Sequence, residues 1–153
     1  MGVHAYDHVM FRGVLVNRRT KRMVEWVEAD CGITVLISQG SYRPPSSYSG
    51  STHTGGGSID VRCSHLTDRQ RRRLVHSLKD CGFAAWFRRA NGVWGPHIHC
   101  VALDDKEASY SARWQMGEYL AGRSGLVSGG ADSTYRPKPQ TRFAFRLNKP
   151  VPR

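Results

Sequence analysis

The stretch Ser51-Thr52-His53-Thr54-Gly55-Gly56-Gly57-Ser58-Ile59-Asp60 sets a histidine and an aspartate seven residues apart, with three consecutive glycines between them. Glycine has no Cβ and reaches backbone conformations closed to other residues. The chain can therefore leave a loop, fold tightly and enter a strand with His53 and Asp60 facing one point. Downstream, residues 58–62 read as a short strand. Thr67-Asp68-Arg69-Gln70 then has the form of a capping box, in which Thr67 opens a helix and Gln70 reciprocates. That helix runs to Cys81, buries Leu74, Val75 and Leu78, and stops at Gly82. Residues 83–88 and 98–103 follow as two strands joined through Asn91-Gly92, a favoured hairpin pair set in a longer loop.

Upstream, the apolar residues Val16, Met23, Val24, Val27 and Cys31 form a helical stripe among Arg18, Arg19, Lys21, Arg22, Glu25 and Glu28. This predicts a first helix over residues 13–30 with Gly32 as its stop. Residues 33–38, Ile-Thr-Val-Leu-Ile-Ser, are rich in β-branched side chains and predict a buried strand, and 39–57 a loop. A third helix over residues 107–121 presents Tyr110, Trp114 and Tyr119 and stops at Gly122. The sum is an α+β fold: a small, mostly antiparallel sheet with flanking helices. From Arg123 onward there are seven basic residues against one acidic, Asp132, and four of the seven prolines. The expectation is a domain over residues 1–122 followed by an extended, poorly ordered basic arm over 123–153.

At 153 residues and 39% hydrophobic, the chain has one domain's worth of core. Its formal charge of +11 draws it towards polyanions: nucleic acid, anionic membrane or anionic cell wall. No run of 18 apolar residues occurs, so no membrane span is expected, and the first residues lack the basic-then-apolar plan of a secretory signal. The expectation is a protein made in the cytoplasm. Cys31, Cys63, Cys81 and Cys100 form no Cys-x-x-Cys pair, which argues against a cysteine-rich zinc finger and for free buried thiols. Arg69, Arg71, Arg72 and Arg73 on the second helix read either as a solvated face or as a polyanion contact.

The histidines carry the chemistry. Zinc accepts imidazole nitrogen and carboxylate oxygen, and catalytic sites use three protein ligands so that a fourth position stays open. His53 and Asp60 supply two such groups, and Pro96-His97-Ile98-His99-Cys100 supplies a pair. His97 and His99 point to one face of a strand because side chains alternate. One can bind metal while its neighbour stands within reach of a zinc-acidified water, whose proton a neutral imidazole can take. Cys63 and Cys100 lie near these residues in sequence, as substitute ligands or as small buried hydrophobes. Trp86 and Trp94 flank the hairpin leading to His99, with Trp94 read as the nearer to a cleft.

At these residues the sequence resembles the zinc D-alanyl-D-alanine carboxypeptidase and L-alanyl-D-glutamate endopeptidase family, whose fold is shared with the hedgehog signalling domain. The family pattern Ser-x-His-x-x-Gly-x-x-x-Asp is matched at Ser51, His53, Gly56 and Asp60. His97-Ile98-His99-Cys100 is similar to the hedgehog version of the later strand, in which the second histidine binds zinc. The resemblance implies His53, Asp60 and His99 as ligands of one zinc ion on the sheet, with His97 beside it. Gly40-Ser41-Tyr42-Arg43 resembles the family's Gly-Tyr-Arg segment with one residue inserted. By that likeness Arg43 polarises the scissile carbonyl or pairs with a substrate carboxylate. The resemblance covers roughly residues 33–103.

One departure stands out. The family's peptidases carry a glutamate shortly before the third ligand, and here no Asp or Glu occurs between Asp80 and Asp104. Either His97 replaces it as the base, or the site binds zinc without turnover. With His97 as base, the resemblance implies a zinc metallopeptidase cutting amide bonds of bacterial peptidoglycan, drawn by charge to anionic cell-wall polymers. A phage or prophage endolysin, reaching the wall after holin-type release, fits that picture. The alternative is a non-catalytic, zinc-stabilised basic module that binds nucleic acid or another polyanion.

Overall fold

The computed structural model describes residues 4–45 and 51–135. It is an α+β domain with two antiparallel sheets and three helices. Strands β1 (His8–Phe11) and β2 (Val14–Asn17) form a hairpin closed by Arg12 and Gly13, both at positive φ, as a two-residue turn matched to strand twist requires. Helix α1 (Arg18–Cys31) follows directly, and the Asn17 side chain caps it by accepting from the Thr20 amide. The single helix expected over 13–30 is thus corrected at its start. Val14 to Asn17 pair with β1, and the helical stripe proper begins after the cap.

Strand β3 (Ile37–Gln39) is shorter than the expected 33–38. The backbone before it bonds to side chains: Glu28 accepts from the Val35 amide at 2.8 Å, and Arg12 donates to the Val35 carbonyl at 2.7 Å. Strand β4 (Ser58–Arg62), helix α2 (Asp68–Cys81) and strand β5 (Phe83–Arg88) fall where the sequence puts them, and the Thr67/Gln70 capping box is formed. Strand β6 (His97–Ala102) and helix α3 (Tyr110–Leu120), capped by Ser109, complete the elements.

The main sheet has the order β3-β4-β6-β5, antiparallel throughout. Alternation divides its side chains cleanly. Ile59, Val61, Phe83, Ala85, Ile98, Cys100 and Ala102 pack with Met23, Val24 and Val27 of α1 and Leu74, Val75 and Leu78 of α2. The opposite face turns Ala84, Trp86 and Val101 to Ala112, Met116 and Tyr119 of α3. This helix covers only part of the face, and the remainder is the floor of a cleft of about 510 Å³. Of the aromatic residues expected on α3, Tyr119 is buried whereas Tyr110 and Trp114 are exposed. No helix of the described residues is long and apolar enough to cross a membrane.

The arm expected from Arg123 is, over residues 123–135, folded against the domain. Arg123 bridges Ala131, the buried Lys79 ammonium donates to the Thr134 carbonyl at 2.8 Å, and Asp132 lies 3.9 Å from the same ammonium. Three successive carbonyls, of Arg123, Ser124 and Gly125, accept from Trp86, Arg88 and Gln115. Composition missed this because the partners are isolated side chains with no periodic pattern. The rest of the arm, 136–153, lies outside the described residues. All four cysteines are free and buried.

Candidate metal centre

Three elements converge on the cleft floor. A 3-10 turn, Thr52–Thr54, carries His53; β4 carries Asp60; and β6 carries His99 directly opposite Asp60 in the register. The three glycines make this possible by close approach. A Cβ on Gly55 would stand 2.4 Å from the Glu107 carbonyl oxygen, and one on Gly56 2.7 Å from both Asn17 Nδ2 and Tyr42 Oη. Gly57 alone needs positive φ, and a Cβ there would meet the Asp105 side chain at 2.9 Å. The loop is thereby pressed onto Asp105, which is itself held by Asn17 at 2.9 Å and by the Glu107 amide at 2.9 Å.

One donor atom each from His53, Asp60 and His99 lies within 4.8 Å of the others. Asp60 Oδ1 is 3.3 Å from His53 Nε2 and 2.8 Å from His99 Nδ1. Both histidines are buried. The remaining nitrogen of each ring is occupied by an oxygen that can only accept. His53 Nδ1 donates to the Gly40 carbonyl at 2.9 Å, and His99 Nε2 donates to Gln115 Oε1 at 2.8 Å. The Gln115 amide cannot turn over without loss, because its nitrogen donates to the Gly125 carbonyl at 3.1 Å. Both rings therefore aim lone pairs at a carboxylate.

Such an arrangement is stable only with positive charge between the three atoms, as protons or as a cation. A tetrahedral zinc ion at about 2.0–2.1 Å from each donor separates donors by about 3.3 Å. The His53–Asp60 distance already has that value, and the His99–Asp60 pair would open by about half an ångström. The donor set fits zinc, with each imidazole fixed by an outer hydrogen bond as metal-bound histidines usually are. Burial alone would raise the Asp60 carboxyl, but hydrogen bonds from His53 and His99, with their charges, outweigh it and hold the group well below the usual carboxylate range.

Gln39 also belongs to this site. With its amide nitrogen turned inward it donates to Asp60 Oδ2 at 3.0 Å and faces His53 Nε2 at 3.3 Å, while its oxygen accepts from Arg43 at 3.0 Å. Arg43 is exposed, and its backbone amide donates to the His53 carbonyl at 2.8 Å. The Arg43 segment thus runs beside the His53 turn, and Gln39 links the guanidinium to the carboxylate. His97 lines the cleft, half-buried, and its Nδ1 donates to the Gly95 carbonyl at 3.1 Å. Trp86 and Trp94 both line the cleft. Trp86 is the more intimate of the two, its ring stacked 6.0 Å from His99. Cys100 points into the opposite core, where burial pushes its thiol far up, so it supplies no ligand.

Sequence reasoning missed Gln39, Gln115 and the 123–125 carbonyls. Gln39 ends a strand just before the Gly-Ser-Tyr-Arg segment, which was a usable signal; Gln115, on a helix 16 residues beyond His99, offered none. Comparison of the chain with protein-family models, with curated proteins and with solved structures found no match. The fold and site define a small α+β domain with a buried His/Asp/His cluster able to coordinate a metal ion.

Proposed function

We propose that the protein is a zinc-dependent peptidase that hydrolyses amide bonds in peptidoglycan stem peptides. The observation that carries this reading is the convergence of two tautomer-fixed imidazoles and a carboxylate on the floor of an open cleft, with His97 one strand position further along the same wall. Zinc bound there supplies Lewis acidity and a water of pKa near 7.

The chain's own groups supply the rest. His97 gives its Nδ1 proton to Gly95 and keeps Nε2 as an acceptor. At that atom it takes the proton of the attacking water and later returns it to the leaving amine. The carboxylates lining the cleft among the described residues are Asp60 and Asp132, and Asp132 is buried beside the Lys79 ammonium. No carboxylate is placed to act as base, which favours His97 in that role. Arg43, anchored by Gln39, polarises the carbonyl or pairs with a substrate carboxylate.

The net charge of +11 supports concentration at anionic wall polymers, weakened by salt. A phage or prophage endolysin that reaches the wall by holin-type release is the setting we favour. The test is incubation of the zinc-loaded protein with cell-wall peptidoglycan, with and without chelator, followed by mass spectrometry of released peptides and new amine ends. Chelator-sensitive cleavage is the expected result. Stoichiometric zinc in a folded protein that cuts no wall type would transfer support to the polyanion-binding module, for which the exposed Arg69, Arg72 and Arg73 on α2 are the surface.

A further inference from the structure

The register of the main sheet sorts the cleft face into rows. Trp86, His99 and Asp60 lie opposite one another across β5, β6 and β4, and the next row on the same face is Arg88, His97 and Arg62. Facing residues in such a row have Cβ atoms about 5 Å apart, and successive rows are two residues, about 7 Å, along the strand. The candidate metal row is therefore followed at once by a row of one histidine between two guanidiniums.

Arg88 is the built-in member of this row. Its guanidinium leans back over the Trp86 ring, 5.2 Å from the centroid, and one of its nitrogens donates to the Ser124 carbonyl at 2.8 Å. It is half-buried and lines the cleft together with Arg89, Asn91 and Trp94. Burial is the largest influence on it and disfavours its charge, with Asp132 and Asp60 acting the other way from a distance. None of Arg62, Arg88 and Arg89 forms an ion pair with a carboxylate of the described residues. Asp60 faces the two imidazoles, and Asp132 lies beside Lys79. A partly desolvated guanidinium in a cleft without a facing carboxylate is a receptor for one, since the planar fork takes both carboxylate oxygens at once.

We propose that Arg88, flanked by Arg89 and Arg62, forms a carboxylate-binding subsite, so that the preferred substrate is an acylated peptide with a free carboxylate one or two residues from the scissile bond. This rests on the peptidase reading for the nature of the bond cut, whereas the subsite stands on the register alone. The row spacing of about 7 Å, against about 3.4 Å per extended residue, sets the one-to-two-residue interval. An amidated or esterified counterpart of the same peptide is a poor ligand.

The test titrates N-acetyl-D-alanine and N-acetyl-D-alaninamide separately into metal-free and zinc-loaded full-length protein, following the Trp86 indole N–H by nuclear magnetic resonance. The acid should bind both forms at least tenfold more tightly than the amide, and Arg88→Gln should reduce that preference to less than twofold. Arg88→Lys, which keeps the charge without the fork, should retain part of it. Equal binding of acid and amide by the unmutated protein, or binding of neither, overturns the proposal without need of any variant. So does a preference that survives Arg88→Gln in a folded protein, and so does an acid preference seen only with zinc present, which reports ligation of the metal. The wall-cleavage assay reads the other question separately. Acid preference without cleavage keeps the subsite and removes the peptidase; cleavage without acid preference does the reverse.

Discussion

Gln115 makes no contact with the proposed metal position, yet its replacement should weaken zinc binding by 10- to 100-fold. Its Oε1 accepts from His99 Nε2 at 2.8 Å inside the protein. In Gln115→Ala the ring loses the partner that assigns its tautomer, and a buried N–H is left unpaired, at a cost of about 1–3 kcal/mol. Partners of this kind are typically worth 10- to 100-fold in metal affinity, about 1.4–2.7 kcal/mol at 1.4 kcal/mol per decade. The two routes to the magnitude agree. The measurement is competition for zinc against a chromophoric chelator at fixed pH, with circular dichroism to confirm folding. Gln115→Glu, which keeps an acceptor oxygen, should retain affinity within a few-fold, and Tyr110→Ala, exposed on the same helix, should change nothing. A Gln115→Ala protein that holds zinc within twofold of the unmutated chain would refute the tautomer argument.

Three further outcomes follow from the same geometry. His97→Ala should keep zinc and abolish hydrolysis while His99→Ala loses both; metal analysis beside the wall assay decides, and loss of zinc from His97→Ala would place that residue among the ligands instead. Gly57→Ala forces a left-handed φ of 80° on a residue with a Cβ and drives that atom into Asp105, so destabilisation of at least about 2 kcal/mol is expected. In a chain of this length that is a fall of at least about 4 °C in Tm, and a shift below 1 °C would show that the loop relaxes freely. In the metal-free protein Asp60 is held below its unfolded value near 3.9, so its stabilisation is fully present above about pH 4 and lost as pH falls below that value. Asp60→Asn should flatten that part of the acid-unfolding curve, and an unchanged curve would mean that the carboxylate is not stabilised by its histidines.

Much of this arrangement was legible because local chemistry announces it. The capping box at Thr67, the alternation along residues 58–62 and 98–102, and the glycine run before Asp60 each bind neighbours in sequence, and each is found where expected. What stayed hidden depends on distant partners. The β1–β2 hairpin was absorbed into a helical stripe because Val16 serves both patterns, and only the cap at Asn17 separates them. Residues 33–36 have strand composition, but side chains of Arg12 and Glu28 take their backbone groups before a ladder can. The outer partners of the imidazoles, the Gly40 carbonyl and Gln115, are of residue types that carry no signature on their own.

The carbonyls of Arg123, Ser124 and Gly125 receive Trp86, Arg88 and Gln115 in that order, and Gly125 can lie there only because a Cβ would stand 2.9 Å from the Trp86 ring. These three side chains border the candidate metal row, floor the cleft and line the proposed anion subsite. A chain cut after Gly122 would still contain His53, Asp60, His97 and His99, and any inspection by motif would count it as whole. It would nonetheless have lost the common rail on which stacking ring, guanidinium and tautomer-setting amide are hung. For this fold the smallest heritable unit of function is longer than the unit that carries the ligands, and shuffling it between proteins would succeed only with residues 123–135 travelling along.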